Sequence, residues 1–297
     1  MKRSIKDYIL IVLKGMAMGA SDVVPGVSGG TIAFITGIYD ELITSIKSIG
    51  AHSVALLFKR KIKEFWKAIN GNFLTALVIG IAISVFSLAK LITYLLINEP
   101  VLVWSFFFGL VLASSWFVSR EVKEWNYKTL SSFFIGAILA FFITVATPAE
   151  TPTALWFVFL CGAVAICAMI LPGISGSFIL VLLGKYFYVM EALNTLNIAV
   201  LFTFGAGALV GLMSFSRLLS YALKNFRNIT LAMLSGFMLG SLNKVWPWKE
   251  IETVLRNGQE FSLEHNVAPH EQIVEGLALM LIGFVLVYVI EKISDKS

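Results

Sequence analysis

The chain has 297 residues, 58% of them hydrophobic and 14% charged, with mean hydropathy +0.86 and a net charge of +5. Soluble domains carry roughly 25% charged residues, so this composition excludes an ordinary soluble protein and indicates an all-α polytopic membrane protein forming one membrane domain. The basic residues lie in short connections without a basic aromatic platform, which excludes nucleic acid as a partner and makes the charge a signal of membrane orientation.

In chain order, the first apolar segment covers 5–20. Its basic start has the outline of a signal peptide, but Lys14 cuts the apolar run and the repeat below makes the segment part of the fold, so it is read as retained. Residues 5–18 would give about 21 Å of helix, short of a hydrocarbon core of roughly 30 Å. The segment runs into DVVPGVSGGTIAFITGIY, Asp22 to Tyr39, and a second arm at 31–49. The expectation is a re-entrant or broken helical hairpin over 5–49 whose first arm ends at Pro25. A basic insertion at 51–70 follows, then three transmembrane helices within 73–146, at 73–97, 101–119 and 129–146. The stretch LPGISGSFILVLLGKY, Leu171 to Tyr186, joins 154–171 to 177–190 and marks a second hairpin over 154–190, whose first arm is long enough to span. Three more transmembrane helices are expected within 198–290, at 198–223, 229–246 and 272–290. The acidic connection 244–271 is expected to carry a short surface helix. Trp104, Trp116, Trp125, Trp156, Trp246 and Trp248 near segment ends fit an interfacial belt.

The two motifs belong to an internal repeat. At an offset of 147, Gly15 meets Gly162, Pro25 meets Pro172, Ser28 meets Ser175, Gly37 meets Gly184 and Tyr39 meets Tyr186. At an offset of 127, Gly80 meets Gly207, Lys90 meets Arg217, Tyr94 meets Tyr221 and Gly109 meets Gly236. The difference, 147 − 127 = 20, matches one insertion in the first half, at about 51–70. Repeat 1 is therefore 1–146 and repeat 2 is 154–290, each a hairpin plus three transmembrane helices. A hairpin returns to its starting side and three crossings follow, so the second repeat is inverted relative to the first. With the N-terminus inside, the segments 1–7, 47–70, 119–128, 223–228 and 291–297 hold sixteen Lys and Arg, against three outside (Lys244, Lys249 and Arg256). That bias predicts N-in and C-in.

Non-helical backbone at membrane depth survives only where protein buries it or a watery cavity receives it. Two tips approaching from opposite sides would place Ser28, Gly29, Gly30 and Thr31 opposite Ser175, Gly176 and Ser177. Hydroxyls and free N–H groups there suit an anion; the plain alternative is close helix packing by small residues. Lys90 and Arg217, matched in depth, are the candidate cations flanking that anion, or else they snorkel to a nearby interface. Asp22 has no acidic counterpart, since Met169 occupies its place; it is either a cap for the turn or the group for proton or sodium coupling. Asp40, Glu41 and Lys185 are assigned surface or capping roles. Cys161 and Cys167 read as small apolar side chains. His52, His265 and His270 all lie outside the apolar segments, so neither a metal site nor a cofactor is indicated.

GMAMGASDVVPGVSGGTIAFITGIY and PGISGSFILVLLGKY resemble the bacterial polyprenyl-phosphate transporters, long an uncharacterised membrane family, and the resemblance covers nearly the whole chain. It implies a flippase in the bacterial cytoplasmic membrane that moves undecaprenyl phosphate from the outer to the cytoplasmic leaflet, recycling the lipid carrier of cell-envelope synthesis. The partners are then polyprenyl phosphate and membrane lipids, with the oligomeric state open. A small-anion or ion-coupled transporter or channel using the same tips is the alternative. A serine hydrolase built on GVSG or GISG lacks a histidine base in any apolar segment, so no catalytic residues are assigned.

Overall fold

A computed structural model describes residues 3–24, 27–256 and 259–294. Pro25, expected to end the first arm, lies outside the described residues, as do Lys2 and Lys296 of the basic count. The first unit contains α1 (Ile5–Val23), α2 (Gly29–Ile35), α3 (Tyr39–Lys47), α4 (Ala51–Phe58), α5 (Ile62–Ala68), α6 (Gly71–Asn98), α7 (Pro100–Arg120) and α8 (Tyr127–Val145). The second contains α9 (Leu155–Ile170), α10 (Gly176–Leu182), α11 (Tyr186–Asn194), α12 (Ile198–Asn225), α13 (Arg227–Ser241), strands β1 (Lys249–Arg256) and β2 (Gln259–Asn266), and α14 (Ile273–Ser294).

Local sequence explains the element ends. Ser4 caps α1 and closes a capping box with Asp7, Asn126 does the same for α8 with Thr129, and Pro100 opens α7. Each hairpin breaks at a glycine in the left-handed region, Gly37 (φ 71°) after α2 and Gly184 (φ 60°) after α10. Around both, the N–H of the next residue returns to a carbonyl five residues earlier, Ile38 to Ala33 and Lys185 to Leu180, which closes the helix end as a Schellman turn. α10 and α11 consequently meet at 108°.

Among the described residues, five helices are long and apolar enough to cross a membrane: α6, α7, α8, α12 and α14. The chain is thus an all-α polytopic membrane protein in its membrane-embedded part. The segment expected to span at 229–246 is a shorter helix, the 15 residues of α13. α9, at 16 residues, is also short for a span. In the 244–271 connection the structure corrects the sequence: its described residues form no surface helix but an antiparallel β-hairpin, with Lys249 opposite Asn266 and Arg256 opposite Gln259.

The long helices pair side by side, α1 with α6, α9 with α12, α7 with α14 and α8 with α13, and α7 packs on α13 at the centre. Glycines set these close approaches. A Cβ on Gly15 would strike the Leu77 carbonyl, and one on Gly162 the Phe204 carbonyl; Gly80 and Gly207 face Val12 and Phe159 in the same way. Gly109 and Gly236 abut the carbonyls of Met280 and Phe133. Without a strong hydrophobic drive between helices in lipid, such backbone contact is a main source of association.

Contacts define two opposite faces. On one, Arg3 pairs with Glu41 at 2.6 Å, Arg227 pairs with Asp40 at 3.0 Å and with Glu121 at 3.1 Å, and Asn70 donates to Glu41. On the other, Gln272 donates to Glu99, Asn243 donates to Thr144, and at the root of the β-hairpin Lys249 lies over Trp104 of α7 and Trp248 beside Gly276 of α14. The tryptophan belt is only partly realised. Trp116, Trp125 and Trp156 are exposed, but Trp248 and Trp104 are buried. Trp248 donates its indole N–H to the Glu271 carbonyl.

Candidate functional site

The two Gly/Ser tips touch. Ser28 Oγ accepts the Gly30 N–H at 3.0 Å and donates to the Met169 carbonyl, at the end of α9, at 2.9 Å. Thr31 Oγ1 accepts the Gly173 N–H at 3.1 Å, and the Tyr39 hydroxyl donates to the Ile170 carbonyl at 3.1 Å. Three side chains of the first hairpin therefore satisfy backbone groups that the second hairpin leaves open where α9 ends. A Cβ on Gly30 would stand 2.5 Å from the Ile170 carbonyl, so only glycine allows this approach. Ser28, Thr31 and Ser175 are buried.

The tips differ in how they are capped. At the first, Asp22 Oδ1 accepts the Gly29 N–H at 2.7 Å, and with Ser28 it occupies the start of α2. At the second, Ser175 makes no capping bond; its hydroxyl pairs with that of Ser177 at 2.6 Å, and Ser177 is half-buried. The carboxylate at Asp22, where the matched position holds Met169, accounts for the Gly29 cap that the second tip lacks; Ser175 is turned to Ser177 instead of to the backbone.

The cations distribute differently from expectation. The structure does not bring Lys90 and Arg217 to the tips. Lys90 is exposed on α6 among exposed Phe86, Leu91 and Tyr94. Arg217 is exposed on α12, and its Nη2 lies 3.5 Å from the Ile49 carbonyl beyond α3. Lys185 is a correction. It does stand at the N-cap position of α11, without a side-chain capping bond, but it is not at the surface: it is 4% exposed, donating to the Thr151 carbonyl at 2.7 Å, with the rings of Phe157 and Tyr188 nearby. Lys14 donates to the Thr36 carbonyl at 2.6 Å, holding the end of α2 against α1. Near the second tip stands Lys244, whose Nζ is 4.9 Å from the Phe178 ring in α10. Sequence reasoning gave Lys244 and Lys249 no role beyond orientation. The signal that could have placed them is the Asn257–Gly258 pair between alternating apolar residues, a hairpin signature.

Residues 18–262 match the family model described as undecaprenyl phosphate translocase-like. The chain belongs to the undecaprenyl phosphate translocase-like family. It is 44% identical over 302 aligned positions to a polyprenyl-phosphate transporter of Vibrio cholerae, covering 98% of each chain. It is 35% identical to a polyprenyl-phosphate transporter of Staphylococcus aureus over 80% of this chain and 85% of that one. No solved structure matches it. Membership of this translocase-like family makes the chain a multi-pass membrane transporter and not an enzyme. The family match spans both tips, Lys90, Arg217 and Lys244.

Proposed function

We propose that this protein is a flippase of the bacterial cytoplasmic membrane that carries undecaprenyl phosphate from the outer to the cytoplasmic leaflet, for reuse as lipid carrier in cell-envelope synthesis. The observation that carries the proposal is the meeting of two broken hairpins, the Ser28–Met169, Thr31–Gly173 and Tyr39–Ile170 bonds, in a chain of this family. A polar junction enclosed by apolar helices is what a phosphate headgroup needs to cross, while its polyprenyl tail stays in lipid.

Two inverted repeats, 1–146 and 154–290, are part of the same proposal. Its support is that the glycine contacts recur at the sequence offsets. Gly15 against Leu77 becomes Gly162 against Phe204 by adding 147 and 127; Gly80 against Val12 becomes Gly207 against Phe159 by adding 127 and 147. The basic face holding Arg3 and Arg227 is assigned to the cytoplasm, N-in and C-in, by the positive-inside bias.

In this scheme the headgroup meets the junction at Ser28, Gly29, Gly30, Thr31, Ser175, Gly176 and Ser177. Ser177, half-buried, is the hydroxyl closest to open access, because Ser28 and Thr31 already bridge the tips. Lys90 and Arg217 act earlier and later. Each lies eight residues from the end of its helix, Asn98 or Asn225, about 12 Å along the axis, and each is exposed on an apolar flank, where a lipid phosphate arriving sideways would meet it. Asp22, already holding the tip, is the proposed group for proton or sodium coupling. The test is a leaflet-resolved assay of polyprenyl phosphate in liposomes containing only this protein. Transfer of the phosphate and not of the free alcohol is expected; uptake of inorganic anions without lipid transfer would overturn the proposal.

A further inference from the structure

A compact cluster of charge lies at the root of the β-hairpin. Lys244, just beyond α13, and Lys249, the first residue of β1, both donate to the same carboxylate oxygen, Oε2 of Glu264 on β2, at 2.9 Å. The lysine side chains are only 17% and 9% exposed. Two shielded ammonium groups thus share one carboxylate, leaving one positive charge unmatched in the trio. A charge removed from water without a full partner is costly unless a further anion completes it.

The two lysines are not equivalent. Lys249 Nζ also donates to the Lys244 carbonyl at 2.7 Å and lies 4.4 Å from the Trp104 ring, so its donors are occupied. Among the described residues Lys244 Nζ makes one hydrogen bond, to Glu264, and it lies over Phe178. Phe178 follows Ser177 in α10, the helix of the second tip, and a Cβ on Gly173 would stand 2.8 Å from Ser241 Oγ, at the end of α13 just before Lys244. The unmatched charge therefore borders the second tip. Burial would raise the Glu264 carboxyl, but attraction to Lys249 and Lys244 outweighs it and holds the group down at about 2, so this carboxylate is ionised throughout the physiological range; burial pulls the Lys249 ammonium the other way, below its ordinary value.

We propose that Lys244 and Lys249 form a receiving site for a phosphate monoester at the mouth of the second hairpin, with Glu264 as an internal anion that the phosphate displaces from Lys244. This rests on the transport reading only for the source of the phosphate, a lipid headgroup arriving from the hairpin's side of the membrane. The chemistry itself is shared by free phosphate. A phosphate monoester carries a charge of about −1.5 to −2 and three acceptor oxygens, so it outcompetes a single carboxylate for the donors of Lys244, while Lys249, whose donors are taken, contributes its positive charge.

Binding would be measured on the full chain in detergent by equilibrium dialysis, with three probes: inorganic phosphate, a short-chain polyprenyl phosphate and the matching polyprenol. Glu264→Gln keeps an acceptor and removes the competing charge, so both phosphates should bind about tenfold more tightly. Lys244→Gln leaves Lys249 and Glu264 as a balanced pair, which favours a preserved fold, and both phosphates should bind about tenfold more weakly. Polyprenol binding should not change in either variant. Wild-type affinity of Lys244→Gln for both phosphates, or unchanged or weaker phosphate binding by Glu264→Gln, would overturn the site. A response to inorganic phosphate alone would support the site with free phosphate as its ligand. Altered phosphate affinity without lipid transfer in liposomes would keep the site and reject the transport reading; lipid transfer with both variants unchanged in phosphate binding would do the reverse.

Discussion

Replacing Thr31 by valine tests whether the tips are locked by the hydrogen bonds seen between them. Threonine and valine share their branching and nearly their volume, so the change removes the acceptor and little else. The Gly173 N–H, whose bond to Thr31 Oγ1 is 3.1 Å and buried, would then point at a methyl group. Leaving a buried donor without a partner costs about 1–3 kcal/mol, and each 1.4 kcal/mol corresponds to about tenfold in the equilibrium. Thr31→Val should therefore lower unfolding stability in mixed micelles by about 1–3 kcal/mol and slow lipid transfer, while Thr31→Ser, which restores the acceptor, should recover most of both. The Ser28→Ala variant should behave similarly, since it removes the bond to Met169 and the cap on Gly30 together. A Thr31→Val protein as stable as wild type, with Thr31→Ser no different from it, would refute the lock.

The topology predicts that single cysteines at Lys61 and His270, in a background without Cys161 and Cys167, react with impermeant reagents from opposite sides; same-side labelling would remove the inverted arrangement. Lys90→Ala and Arg217→Ala should each reduce polyprenyl-phosphate transfer severalfold without altering stability, because both side chains are exposed; transfer at wild-type rates in both would reduce them to snorkelling residues. The β-hairpin should be acid-sensitive in a defined direction. Its Glu264 carboxyl is lowered to about 2 from an ordinary value near 4.5, so its stabilisation is complete above the ordinary value and disappears as pH falls through about 2. Tryptophan emission from Trp246 and Trp248, followed from pH 5 to 2, should report that loss in wild type and not in Glu264→Gln; identical titrations would refute the linkage.

Much of the fold was legible because lipid imposes a coarse code. Apolar runs predicted the helices later found as α6, α7, α8, α12 and α14 to within a few residues, and Pro172 follows the end of α9, where the second hairpin leaves the helix; the breaks at Gly37 and Gly184 instead fall inside arms expected to run unbroken over 31–49 and 177–190. The candidate tips were legible for the same reason: Ser28 to Thr31 and Ser175 to Ser177 interrupt sequence that otherwise has no cause to be polar. The facing of Lys90 and Arg217 was not. On helices apolar around nearly their whole circumference, periodicity does not distinguish a side turned to lipid from one turned to protein.

Sequence alone determined that this is a helical membrane protein and that its backbone leaves the helix at the two Gly/Ser motifs, because those features follow from local composition against a fixed solvent. Tertiary structure decided which partners the irregular backbone found. Thr31 meets Gly173 across 142 positions of chain, and Lys249, at the start of a β-hairpin paired from Lys249 to Asn266, meets Trp104 of α7 across 145 positions. Hydrogen bonds and ion pairs act over a few ångströms in space, whatever the separation in sequence, so only the packed chain could bring Lys244 and Lys249, rather than Lys90 and Arg217, to the neighbourhood of the second tip.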